Sequence, residues 1–376
     1  MKIVLCGGHL TPALAMIEAL RKEEKDSQIY FLGRQHTLEG DKSFSQESRV
    51  IPLQGVQFHP IITGRFQRKL TIHTIPSLIR VPVGFFQALF LLLKINPDVI
   101  CSFGSYVAFP TVLAGWFLRI PVITHEQTRE VGLASKIISI FSRKVAVSYQ
   151  GSERFFPQRK VILVGNPIRE GILNPKVVNA KLEIFLAEPT PPLIFITGGN
   201  QGSHAINEAV LKILGALLKR YRLVIQTGDS RIYNDFAKFD KLLRELPSNL
   251  REHFWISKYF DSNEVGHILR KADLVVGRSG ANIVWELGVL GKVAIFIPIP
   301  WVQNDEQTKN AKTLFEFKAA EILPQSLLSP KTLIGKIEFA FENLDEFKKN
   351  AAVAQKFFPK DGTQKLAREI LKLSKK

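Results

Sequence analysis

The chain has 376 residues, of which 45% are apolar, enough for two or three domains with ample core, and this excludes a disordered chain. A net charge of +17 calls for an anionic partner, and nucleic acid and an anionic membrane surface are the two candidates. The only two cysteines, Cys6 and Cys101, lie in apolar strand-like runs, so no disulfide framework is expected and a reducing cytosol fits.

Lys2–Cys6 reads as a first strand, followed by Gly7-Gly8-His9 and a helix from about Thr11 to Lys22. The N-terminus shows neither the apolar core nor the cleavage site of a signal peptide. Gln28–Leu32 is the next strand, and residues 33–75 mix short strands and loops. From Ser48 to Pro97 there is no Asp or Glu, while Arg49, Arg65, Arg68, Lys69, Arg80 and Lys94 are present, interleaved with phenylalanines. A helix over Leu78–Ile95 carries a Phe- and Leu-rich run that is too short to span a bilayer, which takes about 20 apolar residues. That run suits either a core helix with a basic rim or an interfacial one.

Asp98–Cys101, Pro121–His125, Lys144–Ser148 and Lys160–Val164 read as further strands, with a helix over Thr111–Leu118. The alternation of strand and helix implies a parallel, doubly wound sheet. The pattern restarts at Leu193–Thr197, with Gly198-Gly199-Asn200-Gln201-Gly202 and a helix over Ser203–Arg220. Leu223–Thr227, His253–Ile256, a helix over Asn263–Lys271, and a strand–turn–helix–strand unit from Leu274 to Ile299 follow. The expectation is α/β, with two Rossmann-like doubly wound domains: residues 1–165, and residues 166–350. Two helices are expected after Lys331, the last of them, about residues 351–376, packing back on the first domain.

The candidate chemistry lies at strand ends. His9 can take a proton from a hydroxyl, or simply start a helix. Gly198–Ser203 can cradle a diphosphate, although the missing Lys-Ser/Thr rules out a P-loop. His125-Glu126-Gln127 ends an apolar strand and points to the ligand-binding edge. Arg169 suits a phosphate. The amides of Gly280 and Ala281 open a helix, Glu286 on that helix suits two ribose hydroxyls, and Gln307 and Asn310 share a helix face. No Cys/His spacing suggests zinc, and no Gly-x-Ser-x-Gly elbow is present.

Taken together, these motifs resemble the MurG family of inverting glycosyltransferases. The resemblance rests on Gly7-Gly8-His9, Gly104-Ser105-Tyr106, His125-Glu126-Gln127, Gly165-Asn166-Pro167-Ile168-Arg169, Gly198–Gly202, Ala205-Ile206-Asn207-Glu208, Arg278-Ser279-Gly280-Ala281, Glu286, Gln307 and Asn310. It implies the GT-B fold, two Rossmann-like domains facing across a cleft. It implies transfer of N-acetylglucosamine from UDP-N-acetylglucosamine to an undecaprenyl-diphosphate-linked acceptor, lipid I, to make lipid II. It implies no metal, no cofactor and no nucleic acid, with action at the cytoplasmic face of the plasma membrane as a peripheral protein. His9 and Glu126 would be catalytic. Gly7, Gly8, Thr128, Arg169, Asn200, Gln201, Ala281, Asn282, Glu286, Gln307 and Asn310 would bind substrates, with the second domain holding the UDP-sugar. The chain departs from the family where its first glycine loop is shorter, and where Thr128, Asn200 and His204 replace Asn, Ser and Arg. A related transferase with another lipid acceptor, or a sugar-nucleotide epimerase of the same fold, remains an alternative.

Overall fold

The computed structural model describes residues 1–36, 44–64, 74–230, 232–301 and 305–375. The chain divides into two compact units, Met1–Arg169 with Asp361–Lys376, and Glu170–Lys360.

In the first unit the apolar runs form β1 (Lys2–Cys6), β2 (Gln28–Gly33), β3 (Gln57–Pro60), β4 (Val99–Ser102), β5 (Val122–Glu126), β6 (Lys144–Val147) and β7 (Val161–Leu163). They pair in the order β3-β2-β1-β4-β5-β6-β7, each neighbour parallel to the next. β4 and β5 are buried at every position, because helices cover both faces of a parallel sheet, and their sequences therefore lack alternation. The connections contain α1 (Leu10–Glu23), α2 (Gln46–Leu53), α3 (Thr74–Ile95), α4 (Ser105–Phe117) and α5 (Leu133–Phe141). α1 buries Ala13, Met16, Ile17 and Leu20, one helical stripe, and carries Arg21 and Lys22 in its last turn, where the helix dipole favours cations.

The second unit holds α6 (Glu170–Leu173), α7 (Ala180–Ala187), β8 (Leu193–Thr197), α8 (His204–Leu211), α9 (Leu214–Leu218), β9 (Arg222–Gln226), α10 (Asp235–Glu245), α11 (Ser248–Arg251), β10 (Phe254–Ser257), α12 (Ser262–Lys271), β11 (Leu274–Gly277), α13 (Ala281–Leu290), β12 (Ala294–Phe296), α14 (Glu306–Phe315), β13 (Ala320–Ile322), α15 (Pro330–Glu342) and α16 (Leu344–Gln355). Its sheet runs β10-β9-β8-β11-β12-β13, again parallel throughout. The helix expected over 203–220 is two, because Ile213 leaves helical geometry at φ −118°, ψ 5°. α12 and α15 each begin with a reciprocal capping box, Asp261 with Glu264 and Ser329 with Thr332.

The chain then returns to the first unit as α17 (Gly362–Ser374). The single last helix expected over about 351–376 is therefore two helices, α16 and α17. Between them Phe358 turns inward onto Trp285, ring centroids 5.0 Å apart, and Pro359 cannot continue a helix. α17 buries Leu366, Ala367, Ile370 and Leu373 in the same core as Met16 and Leu20 of α1, and Glu369 pairs with Lys144 of β6.

In each sheet the winding reverses once, between β1 and β4 and between β8 and β11. Open α/β sheets bind ligands beyond the strand ends at such a reversal.

Candidate active site

In the first unit the loops after β1 and β4 are pressed together. Gly7 has φ +130°, and a Cβ there would stand 3.0 Å from the Gly104 carbonyl oxygen and 3.1 Å from the Phe103 backbone, so no side chain fits. A Cβ on Gly8 would stand 3.0 Å from Ser105 Oγ. The Phe103 amide donates to the Cys6 carbonyl at 2.8 Å, which locks the two loops. α1 and α4 thus begin side by side, neither with a side-chain cap nor an acidic residue in its first turn. Their first amides and dipoles leave positive potential at one place, which suits an anion. Ser105 is a non-glycine residue at φ +67°, so the close fit is held against local backbone preference.

His9 stands at this junction as the residue before α1. Burial, helped by the positive charge of Arg34, pushes its pKa down to about 4, so the ring is neutral at pH 7. Arg34 also donates to Tyr106 Oη at 3.4 Å and lies 3.8 Å from Glu47. His125, the penultimate residue of β5, is buried, with Nε2 3.2 Å from the Gly165 carbonyl oxygen and 3.1 Å from Ser148 Oγ. A carbonyl only accepts, so Nε2 carries a proton. Burial pushes His125 down to about 4, partly opposed by the Gly165 bond, with the charge of His9 lowering it further.

Glu126 is buried, and Thr128 donates to its Oε1 twice, from the backbone amide at 2.9 Å and from Oγ1 at 2.7 Å. Burial raises its pKa, against hydrogen bonds from Ser135, Thr128 and Gln127. Thr128 thus braces Glu126 within its own loop. At the end of this unit Thr363 Oγ1 accepts from the Ile168 amide at 2.8 Å and donates to its carbonyl at 2.9 Å, which fixes the Asn166–Arg169 turn on α17. Arg169 itself is buried.

Buried His125 and half-buried His9 make stability depend on pH. An unfolded chain protonates His125 near the ordinary histidine value of 6.5, whereas the folded chain resists until about 4. The unfolded state therefore binds more protons inside that window, and stability falls as pH drops through it. The expected loss is about 3 kcal/mol for His125, with His9 adding in the same direction. Urea midpoints measured across this range should fall steeply in the wild type and less steeply in His125→Gln. Parallel slopes would show that His125 is not the sensitive group.

In the second unit the loop after β8 is equally constrained. The Gly199 amide donates to Thr197 Oγ1 at 3.0 Å, and Gln226 Nε2 donates to the Gly199 carbonyl at 2.9 Å. Gly202, at φ +74°, lies so close to β9's end that a Cβ would fall 1.9 Å from the Thr227 carbonyl oxygen. Asn200 and Gln201 stand exposed on the tip. Behind it, His204 Nδ1 meets Asp235 at 2.9 Å and its ring stacks on Tyr233 at 3.8 Å, so the residue standing for the family's Arg ties α8 to α10.

The turn after β11 is bolted by Arg278, whose guanidinium donates to the Ile297 carbonyl at 2.8 Å, Ser203 Oγ at 2.7 Å and Gln325 Oε1 at 2.6 Å. This bolt joins both loops of the β8/β11 reversal. α13 opens at Gly280 with no side-chain cap, presenting the amides of Ala281 and Asn282. Asn282 and Glu286 are one turn apart on it, and Glu286 is buried. Asn310 is buried and donates to the Ser279 carbonyl at 3.2 Å. Gln307 Oε1 accepts from the Ile299 amide at 3.1 Å, leaving its Nε2 as the outward donor.

Sequence reading missed Arg34, Ser148 and the bracing roles of Arg278 and Asp235. Only for Arg278 was there a signal, a lone basic residue directly after an apolar strand.

These features define a class: a protein of two parallel-sheet Rossmann-like units, each with two helix-opening loops at its winding reversal, as in GT-B glycosyltransferases. Residues 6–147 match the glycosyltransferase family 28 N-terminal domain, and residues 193–366 the glycosyltransferase family 28 C-terminal domain. The chain is 30% identical over 371 residues, 98% of its length and 97% of the relative's, to UDP-N-acetylglucosamine--N-acetylmuramyl-(pentapeptide) pyrophosphoryl-undecaprenol N-acetylglucosamine transferase 2 of Bacillus thuringiensis. A transferase of the same description from Lactiplantibacillus plantarum is 30% identical over 362 residues, 96% of this chain and 95% of that one. The crystal structure of MurG from Acinetobacter baumannii superposes with a TM-score of 0.68 at 24% identity, covering 99% of this chain and 100% of that one. A UDP-GlcNAc 2-epimerase from Neisseria meningitidis shares the fold, with a TM-score of 0.64 at 15% identity and coverage of 99% and 100%. The chain belongs to glycosyltransferase family 28, among its MurG-type members.

Proposed function

We propose that the protein transfers N-acetylglucosamine from UDP-N-acetylglucosamine to an N-acetylmuramyl-pentapeptide carried on undecaprenyl pyrophosphate, the step from lipid I to lipid II. One observation carries this reading: relatives bearing that description align with 98% of the chain. The second unit takes the donor. Glu286 holds the ribose hydroxyls, and the amides of Ala281 and Asn282, with Asn200 and Gln201, take the diphosphate; Arg169, the last residue of the first unit, is the further phosphate-binding candidate. Gln307 Nε2 addresses the sugar, with Asn310 holding the Ser279 turn beneath it. The first unit takes the acceptor, its pyrophosphate at the paired starts of α1 and α4 beside Gly7, Gly8 and His9.

In the reaction the acceptor hydroxyl attacks the anomeric carbon of N-acetylglucosamine. The carbon–oxygen bond to UDP breaks on the opposite face, and the configuration inverts. The hydroxyl proton passes to neutral His9, and the charge of the departing UDP is met by helix amides and Arg169 rather than by a metal ion. Glu126, braced by Thr128, is the second catalytic candidate; it shapes the loop beside the acceptor.

The test is to supply UDP-N-acetylglucosamine and lipid I and to follow UDP release and the disaccharide product, with and without EDTA. Conversion of the UDP-sugar without acceptor would favour the epimerase reading, and loss of turnover in EDTA would overturn the metal-free mechanism.

Such an acceptor requires docking on the cytoplasmic face of the plasma membrane. No helix among the described residues is long and apolar enough to cross it. On α3, however, Val83, Phe86, Phe90 and Leu93 are 45%, 65%, 68% and 62% exposed, and their spacing places them on one face. Phe85 and Leu89 of the same run pack partly against the core. Arg65, Arg68 and Lys69 lie outside the described residues. Each base near an anionic surface contributes about 1 kcal/mol, and the exposed face adds an apolar contribution. Phe86→Asp/Phe90→Asp is expected to abolish sedimentation with anionic vesicles at low salt. Retained sedimentation would move docking elsewhere.

A further inference from the structure

In the second unit, where β13 begins and α14 and α15 end, a cavity of about 450 Å³ opens. Its apolar wall is Phe315, Phe339 and Phe347. Phe347 is buried, with Phe339 edge-on to it at 6.1 Å, while Phe315 and Phe339 are 45% and 44% exposed at the mouth. The polar wall is made mostly of acceptors. Asn343 and Asn350 donate Nδ2 to the carbonyls of Phe339 at 2.8 Å and Lys318 at 3.2 Å, so each keeps Oδ1 as an acceptor. Glu316, Glu321 and Glu346 add carboxylates, against Lys318 as the sole base in the wall among the described residues. A smaller cavity of about 360 Å³ shares Asn343 and Glu346 with the first, adds Glu342 and Asp345, and has no base in its wall among the described residues.

This acidity runs against the rest of the chain, whose net charge is +17: residues 338–346 hold four acids and no Lys or Arg. Glu338 pairs with Arg220, and Glu321 with Lys336 at 2.6 Å. Glu342, Asp345 and Glu346 form no ion pair among the described residues. The C-terminal ends of α14 and α15 add negative potential, and α16, which begins here, offsets its positive end with Asp345 and Glu346 in its first turn. Lys336 already shows what the wall attracts, its Nζ lying 5.7 Å from the centre of the Phe339 ring. Aromatic rings beside unpaired carboxylates and amide oxygens suit a flat, weakly hydrated cation rich in donors, which is a guanidinium. Two cavities with a common wall suit two cations carried on one chain rather than a lone small ion.

We propose that this face docks a basic segment of a partner protein, with an arginine of the segment in the aromatic cavity and a second cation in the smaller one. Phospholipid and nucleic acid carry the wrong sign for it. The face lies where the strands of the second sheet begin, at the opposite edge from the loops assigned to the sugar nucleotide. The proposal therefore stands apart from the reaction those loops perform.

The probe is a capped peptide, Leu-Arg-Ala-Leu-Arg-Leu, titrated by calorimetry into the full-length protein at low salt. Saturation at one peptide per chain is expected, weakening as salt is raised. The same peptide with citrulline in place of arginine keeps the shape and loses the charge, and should bind about tenfold weaker or worse. Glu342→Gln/Glu346→Gln, at exposed positions where the variant stays folded, should weaken the arginine peptide by a similar factor, and Phe339→Leu should weaken it roughly threefold. UDP affinity should be unchanged in both variants. Absence of saturable binding, or equal binding by the citrulline peptide or by the carboxylate variant, would overturn the proposal. Lost UDP affinity in a folded variant would assign the face to the donor site and overturn it as a separate surface. Wild-type dimers in sedimentation velocity that vanish in Glu342→Gln/Glu346→Gln would assign the face to a second copy of this chain and overturn the outside partner.

Discussion

Replacing His9 by alanine is expected to lower turnover by about 10²–10⁴-fold, the usual contribution of a positioned general base, while leaving the affinity for UDP unchanged. His9 is held neutral because burial and the nearby Arg34 push its pKa down to about 4. A base of that pKa is available at neutral pH but holds a proton weakly. The acceptor pyrophosphate corrects this, because its negative charges beside the ring favour the imidazolium and raise the pKa once substrate is bound. The two kinetic profiles should therefore differ. kcat/KM, which reports the free enzyme, is expected to keep its activity well below pH 6.5, about two units lower than an ordinary histidine allows. kcat, which reports the complex, should lose activity at a higher pH. Both acidic limbs should vanish from the residual activity of His9→Ala. Turnover within a few-fold of the wild type would remove His9 as the base and turn attention to Glu126.

Glu286→Ala is expected to weaken UDP binding by about 1–3 kcal/mol, roughly 5–150-fold, if two hydroxyl bonds are lost. The helix that carries Glu286 is firmly seated. Trp285 is buried against Phe358, a Cβ on Gly288 would fall 2.6 Å from that same ring, and Gln355 Nε2 donates to the Val289 carbonyl at 2.6 Å. Removing one carboxylate should therefore leave α13 in place. The sharper measurement compares UDP with its 2′-deoxy analogue by calorimetry. Wild type should prefer UDP, and Glu286→Ala should bind the two alike. A variant that still discriminates would place the ribose contact on another residue.

The alternation of apolar runs with helical stretches, restarting at Leu193, was enough to expect two parallel doubly wound sheets, because buried parallel strands need continuous apolar sequence and crossover helices. The glycine turns were legible as well, since positions such as Gly7 and Gly202 accept no side chain. Strand order was not. It decides that the loop at Gly7–His9 meets the loop at Phe103–Ser105, and that Ser203 meets Arg278, and it depends on non-local pairing that leaves no local periodicity. Exposure on α3 was equally out of reach: helical spacing marks Phe86 and Phe90 as one face, but only the neighbouring helices settle that Phe85 and Leu89 pack inward while Phe86 and Phe90 face out. Likewise, sequence placed Glu126 at a strand end and Gln307 and Asn310 on one helix face. Tertiary contacts commit part of their hydrogen bonding to Thr128, Ile299 and Ser279, because a polar group buried at a loop must find a partner there.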